Sequence, residues 1–260
     1  MNTIAITGAS SGLGWQLALG LADKGKKLLL FGRDEGRLSQ LKALVEAKGA
    51  SCEICDADLL HPQGVQRAIS AIQVFRPSLL VHSAGMGRYG HFCDLEYQAS
   101  SDIIRLNVLS VMEITHAWAN LVKQEKMERP KVIFIASVAA FLPIPSSNAY
   151  GASKACLVSF AEALRVEEEG KIDVLTVCPG YFATNFQRRA SLAPLGDPST
   201  EGARVVAEKI IKAIHKKGVY TPFPWSWIVP LRKLFPKSFL MRLLEKLLLR
   251  RMQQVMKKSD

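Results

Sequence analysis

The sequence predicts an α/β protein: a Rossmann-type doubly wound parallel β-sheet with helices on both faces, in a single domain that continues into a C-terminal amphipathic helical extension. Three observations carry this. Six short, β-rich apolar runs alternate with longer helical patterns. Each run is unbroken rather than alternating, which suits strands buried on both faces. A glycine cluster, Gly8, Gly12 and Gly14, follows the first run and opens a helix. Strands joined by crossover helices form parallel sheets. A chain of 260 residues can bury one such core.

The strands are expected at Thr3–Thr7, Lys27–Phe31, Cys52–Cys55, Leu79–His82, Val132–Ala136 and Val174–Val177. Between them, helices are expected at Gly12–Lys24, Glu35–Lys48, Pro62–Phe75, Ala99–Lys126 and Ala149–Glu169. No internal repeat or composition shift interrupts the chain before about residue 220, so the domain is placed at 1–221 and the extension at 222–260. In such sheets the ligand lies off the carboxyl ends of the strands.

The formal charge of +11 would by itself suggest an acidic partner. It is unevenly placed: Arg232–Asp260 holds nine basic and two acidic residues, a net of +7, which leaves +4 for residues 1–231. A basic patch without a nucleic-acid-binding fold gives no support for nucleic acid as a partner. Five scattered cysteines, Cys52, Cys55, Cys93, Cys156 and Cys178, suit reduced thiols in a cytoplasmic protein. Cys52 and Cys55 form a C-x-x-C, but in a strand this spacing points them to opposite faces, so buried structural thiols are expected rather than a redox or metal pair. Neither a signal peptide nor an apolar run of about 18 residues is expected.

The first strand ends in Thr7-Gly8-Ala9-Ser10-Ser11-Gly12-Leu13-Gly14. Glycines there let the backbone turn tightly and approach a pyrophosphate, while the following helix N-terminus offers unpaired N–H groups. The second strand ends Phe31-Gly32-Arg33-Asp34, with no carboxylate at Gly32 to take a ribose 2′-OH. Arg33 can grip a 2′-phosphate, so NADP(H) is favoured over NAD(H); in the competing reading Arg33 is solvated and Asp34 reaches the ribose. Asp58 and Leu59, after the third strand, are placed to contact the adenine.

Tyr150 and Lys154 lie four apart at the start of the fifth helix, on one face. A nearby ammonium lowers a phenol pKa, so the pair can act as a general acid/base. Such spacing also occurs in ordinary surface contacts. Ser137 ends an apolar strand where a catalytic hydroxyl would lie.

These motifs together resemble the short-chain dehydrogenase/reductase family, in its short single-domain branch, from about Thr3 to Thr184. T-G-x-x-x-G-x-G falls on Thr7, Gly8, Gly12 and Gly14; the tetrad falls on Asn107, Ser137, Tyr150 and Lys154; P-G-x-x-x-T falls on Pro179, Gly180 and Thr184. The resemblance implies proton exchange at Tyr150, oxyanion stabilisation by Ser137 and nicotinamide-ribose binding by Lys154. It implies that Asn107 bends its helix and holds a water, against the plain reading of a helix-kinking polar residue. It also implies nicotinamide contacts from Pro179, Gly180 and Thr184, and cofactor contacts from Ala84 and Gly85. The fourth strand departs from the family's N-[N/A]-A-G: it reads His82-Ser83-Ala84-Gly85, which bears on sheet geometry more than on catalysis. No metal site is expected at His82.

Phe141, Leu142, Pro143, Phe182, Phe186 and Leu192 would give the pocket an apolar wall, and hence a lipophilic ketone, aldehyde or secondary alcohol as substrate; packing into the core is the alternative. In the extension Leu240, Leu243, Leu244, Leu247, Leu248 and Val255 share one helical face, and Arg242, Lys246 and Arg250 another. That pattern fits a peripheral membrane contact, a cap on the pocket or packing on a second subunit. Family analogy suggests a homodimer or homotetramer. The expected function is an NADP(H)-dependent oxidoreductase; the alternative is a non-catalytic NADP(H)-binding sensor or membrane-docked scaffold.

Overall fold

In the computed structural model, residues 2–142, 144–180, 200–224 and 226 are described. Seven parallel strands form one sheet in the order β3-β2-β1-β4-β5-β6-β7. They are β1 (Thr3–Thr7), β2 (Lys27–Gly32), β3 (Ser51–Asp56), β4 (Leu79–His82), β5 (Lys131–Ile135), β6 (Asp173–Val177) and β7 (Gly218–Tyr220). The helices are α1 (Gly12–Leu21), α2 (Glu35–Glu46), α3 (Pro62–Phe75), α4 (Tyr97–Ile104), α5 (Ser110–Gln124), α6 (Asn148–Glu167) and α7 (Thr200–Lys212). The six expected strands are all present, two with the same ends and four with ends displaced by one residue.

Alternation along the strands divides the core in two. Ile4, Ile6, Leu28 and Leu30 face a cluster with Leu17 of α1, Leu41 of α2 and Ile210 of α7. Ala5, Leu29 and Phe31 face the opposite cluster with Ile72 of α3, Trp118 of α5 and Leu157 of α6. The side-chain period of two sends neighbours to opposite faces, and apolar residues at both parities bury both faces. Cys52 enters the first cluster and Cys55 packs on the second, as the spacing predicts. Both are free thiols, as are Cys93, Cys156 and Cys178.

Two elements went unread in the sequence. α7 buries Ala203, Ala207 and Ile210 at helical spacing, a signal that was there to find. β7 has only three residues and is held by main-chain pairing to β6, from Leu175↔Gly218 to Val177↔Tyr220. The expected helix over 99–126 is also interrupted: Arg105–Leu109 forms a π-helical turn between α4 and α5, centred on Asn107. Such wide turns concentrate at functional positions. The amphipathic pattern in 232–260, Thr184, Pro143 and the pocket residues Phe182, Phe186 and Leu192 lie outside the described residues. No helix among the described residues is long and apolar enough to cross a membrane.

Candidate active site

After β3 the chain crosses back to place β4 beside β1, so the strand order reverses there. A crevice opens at the carboxyl ends of strands at such a point. The loops leaving β1 and β4 meet at Gly8, which has φ +68° and lies so close to Ala84 that an added Cβ would sit 2.7 Å from its Cα. Thr7 binds the two loops together: its Oγ1 accepts from the N–H groups of Ser83 and Ala84, both at 3.1 Å. Gly14 packs directly on the Gly8 carbonyl, while nothing lies within 4 Å of the Cβ position of Gly12. This is a backbone cradle open on one side, which fits a pyrophosphate at the N-terminus of α1. Leu13 turns inward to the core.

At the end of β2, Arg33 Nη1 lies 3.8 Å from Asp58 Oδ2. Asp34 N-caps α2, its Oδ1 accepting from the Arg37 N–H at 2.9 Å. That capping bond engages the carboxylate which the competing reading sends to the ribose. Ser10 packs against Gly32. Asp58 also accepts from the Leu60 N–H at 3.1 Å, and the Leu59 side chain is buried in the core. The Leu59 side chain is therefore taken up by the core.

The tetrad residues converge from three elements. Ser137, directly after β5, hydrogen-bonds through its side chain with Tyr150 of α6. Its Oγ also accepts from the Ala139 N–H at 3.2 Å, which fixes the hydroxyl at the strand end. Lys154 is buried one turn beyond Tyr150; its Nζ lies 5.7 Å from the Tyr150 ring centroid and donates to the Ile135 carbonyl at 2.9 Å. Asn107 is buried on the π turn. Its Oδ1 accepts from the Met86 N–H at 2.9 Å, and its Nδ2 donates to the Met86 carbonyl at 2.9 Å and to Ser153 Oγ at 3.0 Å. Gly85 lies over this group: an added Cβ would come 3.3 Å from Asn107 Oδ1 and 3.5 Å from Lys154 Nζ. Pro179 joins through its carbonyl, which accepts from the Val138 N–H at 3.0 Å, and Gly180 follows it.

One expectation is corrected. The Tyr150 pKa is not lowered by Lys154: burial pushes the phenol up, and the Ser137 hydrogen bond opposes this only in part. The desolvation of a phenolate outweighs an ammonium that is itself desolvated and turned to a carbonyl. Burial brings Lys154 down to about 8. Burial thus favours the neutral phenol at Tyr150.

Sequence reasoning missed Met86 and Ser153, the partners of Asn107. Ser153 stands at an unspecified position between Tyr150 and Lys154, Met86 follows Gly85, and only folding brings them to Asn107. His82 keeps the sheet regular, paired with Thr7 on β1 and Phe134 on β5. Its Nε2 shares a 2.9 Å hydrogen bond with Thr115 Oγ1, and its ring stacks on Phe134 at 5.4 Å. Among the described residues no group of three or more His, Cys, Asp or Glu could hold a metal. Leu142 is buried and Phe141 packs against the core, so this part of the expected apolar wall is largely core packing.

Fold and site define a nucleotide-binding oxidoreductase of the Rossmann type. The short chain dehydrogenase family profile matches residues 2–194, and the chain belongs to that family. It is 32% identical to the 11-beta-hydroxysteroid dehydrogenase 1A of Arabidopsis thaliana, across 87% of this chain and 69% of that protein. Other curated relatives, at 25% identity, are longer, and the chain spans 40% of their length. Among solved structures it is similar to a short-chain dehydrogenase from Sphingobium yanoikuyae in complex with NADPH, at 26% identity and TM-score 0.80, covering 90% of this chain and 94% of that one. A short-chain dehydrogenase/reductase from Burkholderia phymatum in complex with NAD is similar at 26% identity and TM-score 0.76, covering 90% and 92%.

Proposed function

We propose that this protein is an NADP(H)-dependent oxidoreductase that interconverts a lipophilic ketone or aldehyde and its alcohol, with Tyr150 as the general acid/base. The observation that carries the reading is the Ser137–Tyr150 hydroxyl pair beside Lys154, at the carboxyl end of the sheet and next to the glycine cradle. A bound nicotinamide would supply the hydride that adds to the carbonyl carbon. Gly8, Gly12 and Gly14 would hold its pyrophosphate, and Lys154 its ribose. The Asp34 cap and the Arg33 side chain at the tip of β2 support the phosphorylated form of the cofactor. The hydroxysteroid dehydrogenase relative supports a lipophilic substrate.

In the reductive direction Ser137 Oγ and Tyr150 Oη donate to the carbonyl oxygen. As the carbon gains two electrons, negative charge develops on that oxygen, and the two donors stabilise it. Tyr150 then transfers its proton, giving the alcohol. The phenolate left on Tyr150 lies one helix turn from Lys154, whose Nζ is 5.7 Å from the ring centroid. The high Tyr150 pKa resists proton loss until a stronger base, the nascent alkoxide, presents itself. Oxidation runs the same steps backwards and needs the phenolate first, so it is favoured by higher pH.

The test is loss of NADPH absorbance with a panel of bulky ketones and aldehydes. Turnover is expected to fall by about 10²–10⁴-fold in Tyr150→Phe, the usual range for a general acid. Wild-type turnover in that variant would overturn the mechanism.

A further inference from the structure

We propose that Ser153 is a positioning residue for this reaction: its hydroxyl sets the register between the π turn that carries Asn107 and the helix turn that carries Tyr150. The inference rests on the catalytic reading of the tetrad. Ser153 is fully buried, and its Oγ donates to the Tyr150 carbonyl at 2.7 Å while accepting from Asn107 Nδ2 at 3.0 Å.

The proton arrangement is forced. The Met86 N–H can only donate, so Asn107 must turn Oδ1 towards it. Nδ2 then faces both the Met86 carbonyl and Ser153, with one N–H for each. Ser153 accepts, and its single proton goes to the Tyr150 carbonyl. Removing the Asn107 amide or the Ser153 hydroxyl would strand a buried polar partner.

The position of this link gives it a role beyond stability. Thr7 fixes Ser83 and Ala84 at one side of the β4 loop, and Asn107 fixes Met86 at the other. Ser153 extends the chain of hydrogen bonds to the main chain of Tyr150. The nucleotide loop, the floor under Gly85 and the catalytic helix are therefore tied in series. A π turn departs from the regular i→i−4 ladder, so side-chain bonds are what fix Asn107 against its neighbour. Without the Ser153 hydroxyl, α6 keeps its own ladder but loses this tie at the level of Tyr150 and Lys154. Small displacements at reacting groups lower rates steeply.

The test compares Ser153→Ala, Ser153→Thr and Ser153→Cys with Thr115→Val, a control. Thr115→Val removes the partner of His82 in the core and touches no tetrad residue. The readouts are kcat, KM for NADPH, the pH profile of kcat with the ketone the wild type reduces fastest, and Tm. For Ser153→Ala the expectation is a roughly tenfold lower kcat, KM for NADPH within about twofold, and a displaced pH profile. Ser153→Thr, or Ser153→Cys where threonine does not fold, recovers part of kcat. Thr115→Val lowers Tm and leaves kcat and its pH profile in place. Wild-type kcat and pH profile in Ser153→Ala would overturn the proposal, as would a loss that only tracks the folded fraction. Tyr150→Phe separates the two readings: if it is inactive while Ser153→Ala is normal, this inference alone fails; if it is fully active, the catalytic reading fails.

Discussion

Acid sensitivity is expected to be concentrated in one residue, His82. Its imidazole is 2% exposed, stacked on Phe134 and bonded to Thr115 through Nε2, while Nδ1 has no hydrogen-bond partner among the described residues. Burial drives its pKa from 6.5 down to about 3, and no carboxylate raises it back. The folded state therefore holds the neutral ring where the unfolded state takes up a proton. Stability is full above pH 6.5 and is lost as pH falls from 6.5 towards about 3. One proton linked in this way costs about 1.4 kcal/mol per pH unit, or about 2 kcal/mol at pH 5. For a domain of this size that is a Tm decrease of roughly 4–8 °C. The assay is a series of thermal and urea unfolding curves from pH 7.5 to 4.5 for the wild type and His82→Asn. Asparagine leaves a gap beside Phe134 and destabilises at every pH, so the readout is the difference between the two slopes. Carboxylates titrate alike in both proteins and cancel. The wild type should lose its advantage by about 2 kcal/mol between pH 6.5 and 5. Parallel curves would refute the argument, because they would mean that the folded protein accommodates a charged His82.

The remaining predictions concern the cofactor. Arg33→Ala should weaken NADPH binding by about 1.5–3 kcal/mol, roughly 10- to 100-fold, and leave NADH unchanged, as measured by fluorescence titration; equal effects on both would remove Arg33 from the 2′-phosphate. Gly32→Asp, which offers a ribose-binding carboxylate, should by itself impair both cofactors, because its Cβ would lie 2.8 Å from Ser10 Oγ and 2.9 Å from Ser10 Cβ. Pairing it with Ser10→Gly should restore binding with NADH preferred; NADH binding gained by Gly32→Asp alone would show that the loop gives way.

The sequence by itself determined six strands of the sheet and which residues stand at their carboxyl ends. Unbroken apolar runs such as Leu28–Phe31 state that both faces are covered, because each parity must meet its own hydrophobic layer. Gly8, Gly12 and Gly14, Tyr150 with Lys154, and Ser137 were legible because each sits at a fixed offset from a strand end or along one helix turn. β7 was not legible, since three residues at a sheet edge carry little period and are held by main-chain bonds to β6. The π turn was hidden for a related reason: one extra residue in a turn leaves the apolar pattern of α5 intact. Tertiary structure alone decided what surrounds the site. It brought Met86 and Ser153 to Asn107, and buried Tyr150 so that desolvation, not Lys154, governs its proton. Spacing along a chain states which groups can share a face. Which groups lose their water, and which carbonyl an ammonium finds instead, depends on elements far apart in sequence.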